Sequence, residues 1–87
     1  MRIAFDLLQQ LTIKFPPPLN ECGVQTRHCL TIHPDTEQMV VSVFLPGPAD
    51  ELPFTYSFSL DAEDFERSTT DLVGDMERML REDGKIP

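Results

Sequence analysis

Basic residues are scarce in this sequence, with seven lysines and arginines against 15 aspartates and glutamates, for a net charge of −8. Such a charge repels the phosphates of DNA and RNA, so direct nucleic-acid binding is not expected. Residues 50–87 hold 11 acids and 4 bases, a net charge of −7, whereas residues 1–49 hold 4 and 3, a net charge of −1. The acidic field therefore belongs to the C-terminal half.

Glycine and cysteine are also rare, with four and two residues. Neither GxGxxG nor GxxxxGK occurs, so no phosphate-binding loop is predicted. The amino end, interrupted by Asp6, Gln9 and Gln10, lacks the long uncharged core of a signal peptide. The missing signal-peptide core and the presence of only two cysteines favour a cytoplasmic protein with reduced thiols. No run approaches the ~20 apolar residues of a membrane span, so no membrane partner is expected.

The length of 87 residues is below the usual domain size of roughly 100–150. Residues 1–87 are therefore expected to form a single small acidic domain. Hydrophobic residues make up 40% and charged residues 25%, which is ordinary for globular proteins and argues against disorder. A chain this short buries only about 60% of its unfolded surface, so its stability is marginal and association is a reasonable expectation.

The amino-terminal segment has the spacing of an amphipathic helix. Pro16-Pro17-Pro18 cannot continue a helix, so we predict a first helix over residues 2–12 and an extended linker after the prolines. Residues 11–15 also fit a strand, because Leu11, Ile13 and Phe15 alternate with other residues. The apolar side chains that support the helix are Ile3, Ala4, Leu7, Leu8 and Leu11.

Three segments have the alternation of β-strands, over residues 25–33, 38–45 and 54–60. Residues 34–37 supply a turn between the first two, and residues 46–53 form a loop between the second and third. In the second strand, Val40 and Phe44 face away from the other apolar side chains, which are Met39, Val41, Val43 and Leu45. An antiparallel sheet normally shows a polar face to water, so Val40 and Phe44 are a possible interface with a second copy.

A long helix is predicted over residues 62–82. Asp61 is placed as its N-cap, Asp64 completes an imperfect capping box, and Gly84 ends it. Its apolar arc consists of Phe65, Leu72, Val73, Met76, Met79 and Leu80. The predicted fold is α+β: a helix, a three-stranded antiparallel β-meander and a long C-terminal helix packed on one sheet face. The aromatic side chains are assigned to the core, namely Phe5, Phe15, Phe44, Phe54, Tyr56 and Phe58.

No constellation of residues indicates a reaction. The candidate metal ligands are Cys22, His28, Cys29 and His33. Along an extended strand Cys29 and His33 share a face but lie about 13 Å apart, and His28 points the opposite way, which does not suit a tetrahedral site. Cys29 is therefore interpreted as small packing and the histidines as strand-surface residues. No serine lies in a strained, glycine-flanked turn. We expect no catalytic residue, metal or cofactor, and no enzyme.

The charges of the second helix are ordered around its axis. Asp64, Asp71, Asp75 and Glu82 fall within about 40° of one another at helical spacing. One interpretation is a solvated face with ion pairs Glu63–Arg67 and Glu77–Arg81. The other is a surface that binds a basic protein partner, as in a small inhibitor or adaptor. We name these four residues the acidic row.

The predicted element order resembles that of double-stranded-RNA-binding domains, although no basic cluster begins the second helix. Order, size and acidity are also similar to small phage-encoded inhibitors such as some anti-CRISPR proteins, which implies mimicry of nucleic-acid charge. The leading hypothesis is thus a non-enzymatic interaction module whose acidic row meets a basic partner. The alternative is a structural or regulatory homodimer or subunit that uses the apolar sheet face at Val40 and Phe44.

Overall fold

The computed structural model describes residues 2–47 and 52–87. The loop predicted over residues 46–53 lies partly outside the described residues, as does the side chain of Ile3. The elements are α1 (Arg2–Lys14), β1 (Cys29–His33), β2 (Gln38–Leu45), β3 (Phe54–Leu60), a 3-10 turn (Asp64–Glu66) and α2 (Thr69–Glu82). This α-β-β-β-α order confirms the predicted α+β fold.

The sheet is an antiparallel meander with β2 in the centre. Strands β2 and β3 have the predicted bounds, and burial alternates along both. The predicted core face of β2 is confirmed: Met39, Val41, Val43 and Leu45 are buried beneath both α-helices. The first strand begins at Cys29 instead of residue 25, since the chain before it is tied to the proline segment and not to β2.

Helix α1 extends two residues beyond its predicted end, and the strand alternative for residues 11–15 is wrong. Leu7 and Leu11, four residues apart, are buried on one face, and the Phe15 N–H donates to the Leu11 carbonyl at 2.8 Å. Ile13 lies on the outer face. The core assignment of Phe5 is also wrong, because its side chain is 76% exposed on that face.

Residues 15–28 return the chain from α1 to the sheet. The Asn20 side chain accepts bonds from the N–H groups of Cys22 and Val24, both at 2.9 Å, and closes a turn. At the end of this segment His28 is 7% exposed, so its assignment to the strand surface is wrong. Cys29 is exposed and is not a packing residue. His33 is exposed, as predicted.

The start of α2 differs most from its prediction. Asp61 does form the capping box, accepting from the N–H groups of Glu63 and Asp64, while Asp64 accepts from the Asp61 N–H at 3.0 Å. This box begins only the short 3-10 turn. Arg67 and Ser68 are extended, and the Ser68 hydroxyl accepts from the N–H of Asp71 at 3.1 Å. The helix therefore begins at Thr69, with Ser68 as its N-cap.

Gly84 ends α2, as predicted. Its φ of 71° is in the left-handed region, and the Lys85 N–H donates to the Leu80 carbonyl while the Gly84 N–H donates to that of Arg81. This is the Schellman arrangement, which satisfies carbonyls at a helix end. The α2 side chains in the core are Leu72, Val73, Met76 and Leu80, with Phe65 packed against them from the 3-10 turn. Neither helix in the described ranges is long and apolar enough to cross a membrane.

Candidate protein-binding site

The acidic row is drawn together by one arginine. Asp64 lies in the 3-10 turn, so it does not share a helix with the other three members. The guanidinium of Arg67 nevertheless reaches Asp64 at 3.9 Å, Asp71 at 3.6 Å and Asp75 at 2.5 Å. Arg67 therefore joins the row across the break in the helix. The predicted pair Glu63–Arg67 is wrong, because the extended residues at 67 and 68 interrupt the i,i+4 spacing.

A second arginine meets the row further along α2. Arg78 lies 3.4 Å from Asp75 and 4.0 Å from Glu82. Four carboxylates thus face two guanidiniums, and these six groups together carry a charge of −2. Asp71 and Glu82 have side chains that are 68% exposed and only these long contacts. They carry the charge that is most open to a partner.

The shortest ion pair of the row, between Arg67 and Asp75, shifts the pKa of both groups. The hydrogen bond from Arg67 lowers the pKa of Asp75 below its ordinary value of 3.8, and Arg78 acts in the same direction. The same contact raises the pKa of Arg67. Both groups are therefore charged at neutral pH. Exposed ion pairs of this type contribute little to stability, so a partner's cation could share these carboxylates at small cost.

Glu77 has a different environment from the row. Its carboxylate accepts from Lys14 of α1 at 2.7 Å and from Arg81 at 2.9 Å, and its side chain is only 18% exposed. The predicted pair Glu77–Arg81 is confirmed. Because Glu77 fastens α1 to α2, its charge is already used within the fold.

A groove of about 200 Å³ runs between β3 and the acidic side of α2. Asp64 and Arg67 also line it. On the strand side it is lined by four consecutive residues, Ser57, Phe58, Ser59 and Leu60, and on the helix side by Leu72, Asp75, Met76 and Met79. Consecutive strand residues point to opposite faces, so the strand contributes its edge to the groove. We call this the β3 groove.

The direction of α2 follows from two contacts beyond the β3 groove. The Tyr56 hydroxyl donates to the carboxylate of Asp83, and the Lys85 ammonium lies 5.8 Å from the centre of the Phe54 ring. The end of α2 is therefore beside the start of β3, while Leu72 is near the end of the strand. Helix α2 runs antiparallel to β3, and two members of the acidic row, Asp64 and Asp75, line the groove beside the strand.

The predicted sheet interface lies on the face opposite the helices. Val40 and Phe44 are both half-buried, so the assignment of Phe44 to the core is wrong. Ser42 lies between them, and its hydroxyl is hydrogen-bonded to that of Ser57 at 3.2 Å. Four residues along a strand span about 13 Å. The cross-strand neighbours are also hydroxyl-bearing, since Thr31 pairs with Val40 and Thr55 with Phe44. The structure does not bring Val40 and Phe44 together as one apolar patch.

His28 has a structural role that the sequence did not predict. Its Nδ1 accepts from the Phe44 N–H at 3.0 Å, so Nδ1 carries no proton in this state. Its Nε2 lies 2.6 Å from the carbonyl of Phe15 and must then be the protonated nitrogen that donates. Both nitrogens are thus engaged with backbone groups. Across residues 2–47 and 52–87, no three His, Cys, Asp or Glu side chains are grouped to hold a metal ion.

Comparison of the chain with protein-family models, with curated proteins and with solved structures gives no significant match.

Proposed function

We propose that this protein is a small non-enzymatic binding module, an inhibitor or adaptor, which binds a basic protein partner through the acidic row. The observation that carries the proposal is the position of Asp71 and Glu82, which stand exposed on the same side of α2 with only long contacts to arginine. The overall charge of −8 adds long-range attraction for a basic partner and speeds encounter.

A binding role also agrees with the use of polar groups in the fold. His28, the buried titratable side chain of the described residues, is committed to two backbone groups, and Glu77 is committed to two cations. The exposed acids of the row, Asp71 and Glu82, make no contact of this kind with the core or with the other helix. They can change partners without loss of the core.

The alternative function, a homodimer or subunit that associates through its sheet face, has weaker support. Val40 and Phe44 lie on a face that neither described helix covers, which favours it. Hydroxyl side chains surround both residues, however, and Ser42 divides them. A dimer interface of standard size needs about 800 Å² per partner with an apolar centre, which two separated side chains supply poorly.

The test of the proposed function measures binding of a fluorescent oligolysine about eight residues long, by anisotropy at low and high salt. Asp71→Lys with Glu82→Lys should weaken binding roughly tenfold or more and reduce its salt dependence. The matched control is Asp6→Lys with Glu21→Lys, two exposed acids outside the row that give the same change in net charge.

The control should lose far less affinity than the row variant. Equal losses in the two variants would mean that net charge alone attracts the peptide and that the row is only a solvated face. Sedimentation of the wild-type protein at tens of micromolar tests the alternative, since micromolar dissociation constants are typical of weak interfaces. A dimer that Phe44→Lys dissociates would favour the sheet-face alternative.

A further inference from the structure

We infer that the basic partner presents an extended segment, which adds as a fourth strand to the outer edge of β3 and lies in the β3 groove. This inference rests on the proposed function and specifies how the partner is recognised. Its basis is the combination of an open strand edge, a groove beside that edge, and the acidic row, of which Asp64 and Asp75 line the groove.

The edge of β3 is open in the described structure, where β3 pairs with β2 and with no other strand. Half of its backbone N–H and C=O groups therefore face outward without a strand partner. Proteins usually protect such edges with charged side chains, prolines or bulges. The residues Phe54–Leu60 contain no charge and no proline, and their pairing with β2 is continuous over seven positions. Nothing within this strand prevents another from pairing with it.

The spacing of carboxylates on α2 suits a strand laid along that edge. Every second side chain of an added strand would point toward the helix side of the sheet, at intervals of about 6.6–6.8 Å. Asp71 and Asp75 are separated by about 6 Å along the helix axis. Because α2 runs antiparallel to β3, alternate lysines or arginines of the segment would face the row. Met79, which is 43% exposed, offers an apolar contact for their methylene groups.

Charge selects the partner's segment over a second copy of this chain. Two copies joined through β3 would place their helices on the same side of a continuous sheet and bring two acidic rows toward each other. Each copy has a net charge of −8, so this contact is opposed by repulsion. A segment with alternating basic residues meets the same edge with attraction.

The first experiment measures the affinity of a synthetic peptide of alternating lysine and threonine, about eight residues long. Two further versions carry N-methyl groups at alternate residues, on either the lysines or the threonines. N-methylation removes hydrogen-bond donors from one edge of the peptide and leaves its charge unchanged. One version should lose roughly tenfold or more in affinity, equivalent to one or two backbone hydrogen bonds, and the other should bind like the parent.

The possible failures can be distinguished. If both methylated versions bind as tightly as the parent, strand addition is wrong, whereas the proposed binding of basic partners stands. If the parent peptide does not bind even at low salt, the proposed function fails. Amide hydrogen exchange gives a direct readout, because alternate N–H groups of β3 should exchange more slowly when the peptide is bound. Unchanged exchange along β3 in the saturated complex would also overturn the inference.

A pair of variants of α2 locates the segment. Met79→Lys places an ammonium in the β3 groove and should weaken binding of the lysine–threonine peptide at least severalfold. Gly74→Lys adds the same charge to the same helix about 140° around the axis from Met79, on the far side of the acidic row from the β3 groove. A new Cβ there meets nothing within 4 Å. Both positions are exposed, so both variants should fold, which circular dichroism verifies. Equal weakening by the two substitutions would exclude the β3 groove as the site.

Discussion

Replacement of His28 is the sharpest test of how this fold is held together. The imidazole bonds the carbonyl of Phe15, just after α1, and the N–H of Phe44 in the central strand. His28→Ala leaves both backbone groups without that partner. A fully buried polar group that loses its bond costs about 1–3 kcal/mol. Both bonds of His28 are partly buried, so the two losses together cost up to about 6 kcal/mol.

This loss is a large fraction of the stability of a chain of 87 residues, which is about 4–13 kcal/mol at roughly 0.05–0.15 kcal/mol per residue. A loss of about 3 kcal/mol should lower the melting temperature by roughly 12–24 °C. Urea unfolding followed by far-ultraviolet circular dichroism measures the change. His28→Phe separates the contribution of packing from that of hydrogen bonding, because the phenyl ring fills the volume of the imidazole but makes neither hydrogen bond.

His33→Ala is the matched control, since His33 is exposed at the end of β1. Surface substitutions of this type usually change the free energy of unfolding by less than about 0.5 kcal/mol. If His28→Ala costs no more than His33→Ala, the two hydrogen bonds of His28 do not stabilise the fold. If His28→Phe is as stable as the wild type, packing is the contribution of His28 and the two hydrogen bonds are not.

Two further predictions concern the ends of α2. Ser68→Ala should lower the free energy of unfolding by about 1 kcal/mol in urea, because the N–H of Asp71 loses its cap, whereas Ser68→Asp should retain it; equal stability of all three proteins would contradict this. Tyr56, the only tyrosine, donates a hydrogen bond to Asp83, and this bond raises the pKa of Tyr56 above 10.0. The midpoint of the ultraviolet titration of Tyr56 should therefore fall in Asp83→Asn. Because the pKa of Tyr56 is raised in the folded state, the contact stabilises the fold below pH 10.0, and this stabilisation is lost as the pH rises through the folded-state pKa. Identical titration midpoints in the wild type and in Asp83→Asn would show that the contact is not maintained in solution.

The parts of the fold that the sequence predicted are those governed by local periodicity. Burial alternates along β2 and β3, and both strands have the predicted bounds. In α1, Leu7 and Leu11 determine the buried face, and the three prolines prevent continuation. The competing strand at residues 11–15 failed because the alternation of Leu11, Ile13 and Phe15 covers only three positions. Ile13, the middle one, is exposed.

Long-range contacts explain the errors at single side chains. Phe5 is large and apolar, yet it lies on the outer face of α1 because Leu7 and Leu11 already direct the opposite face to the core. His28 precedes β1 and looked like a surface residue of a longer strand. Its burial depends on Phe15 and Phe44, which are 13 and 16 residues away in the sequence. Periodicity carries no signal of such contacts.

The start of α2 was predictable only by weighing two caps against each other. Asp61 and Ser68 are both good N-cap residues, and each is followed three residues later by an aspartate, Asp64 and Asp71. A pattern read from Asp61 alone predicts one continuous helix. Ser68-Thr69-Thr70-Asp71 is the signal that could have corrected it, because S-x-x-D resembles a capping box and threonine is a weak residue for a helix interior.

The break before α2 changes the chemistry of the acidic row, because it frees Arg67 from the helix. In a continuous helix Arg67 would have Glu63 and Asp71 as its i,i+4 neighbours. Asp75 would then face only Arg78. In the structure, Arg67 contacts three members of the row and Asp75 is shared by two guanidiniums. The available charge is therefore graded: it is lowest at Asp75 and highest at Asp71 and Glu82. A partner would find attraction on either side of Asp75, while the Asp75–Arg67 pair keeps the β3 groove from being uniformly negative.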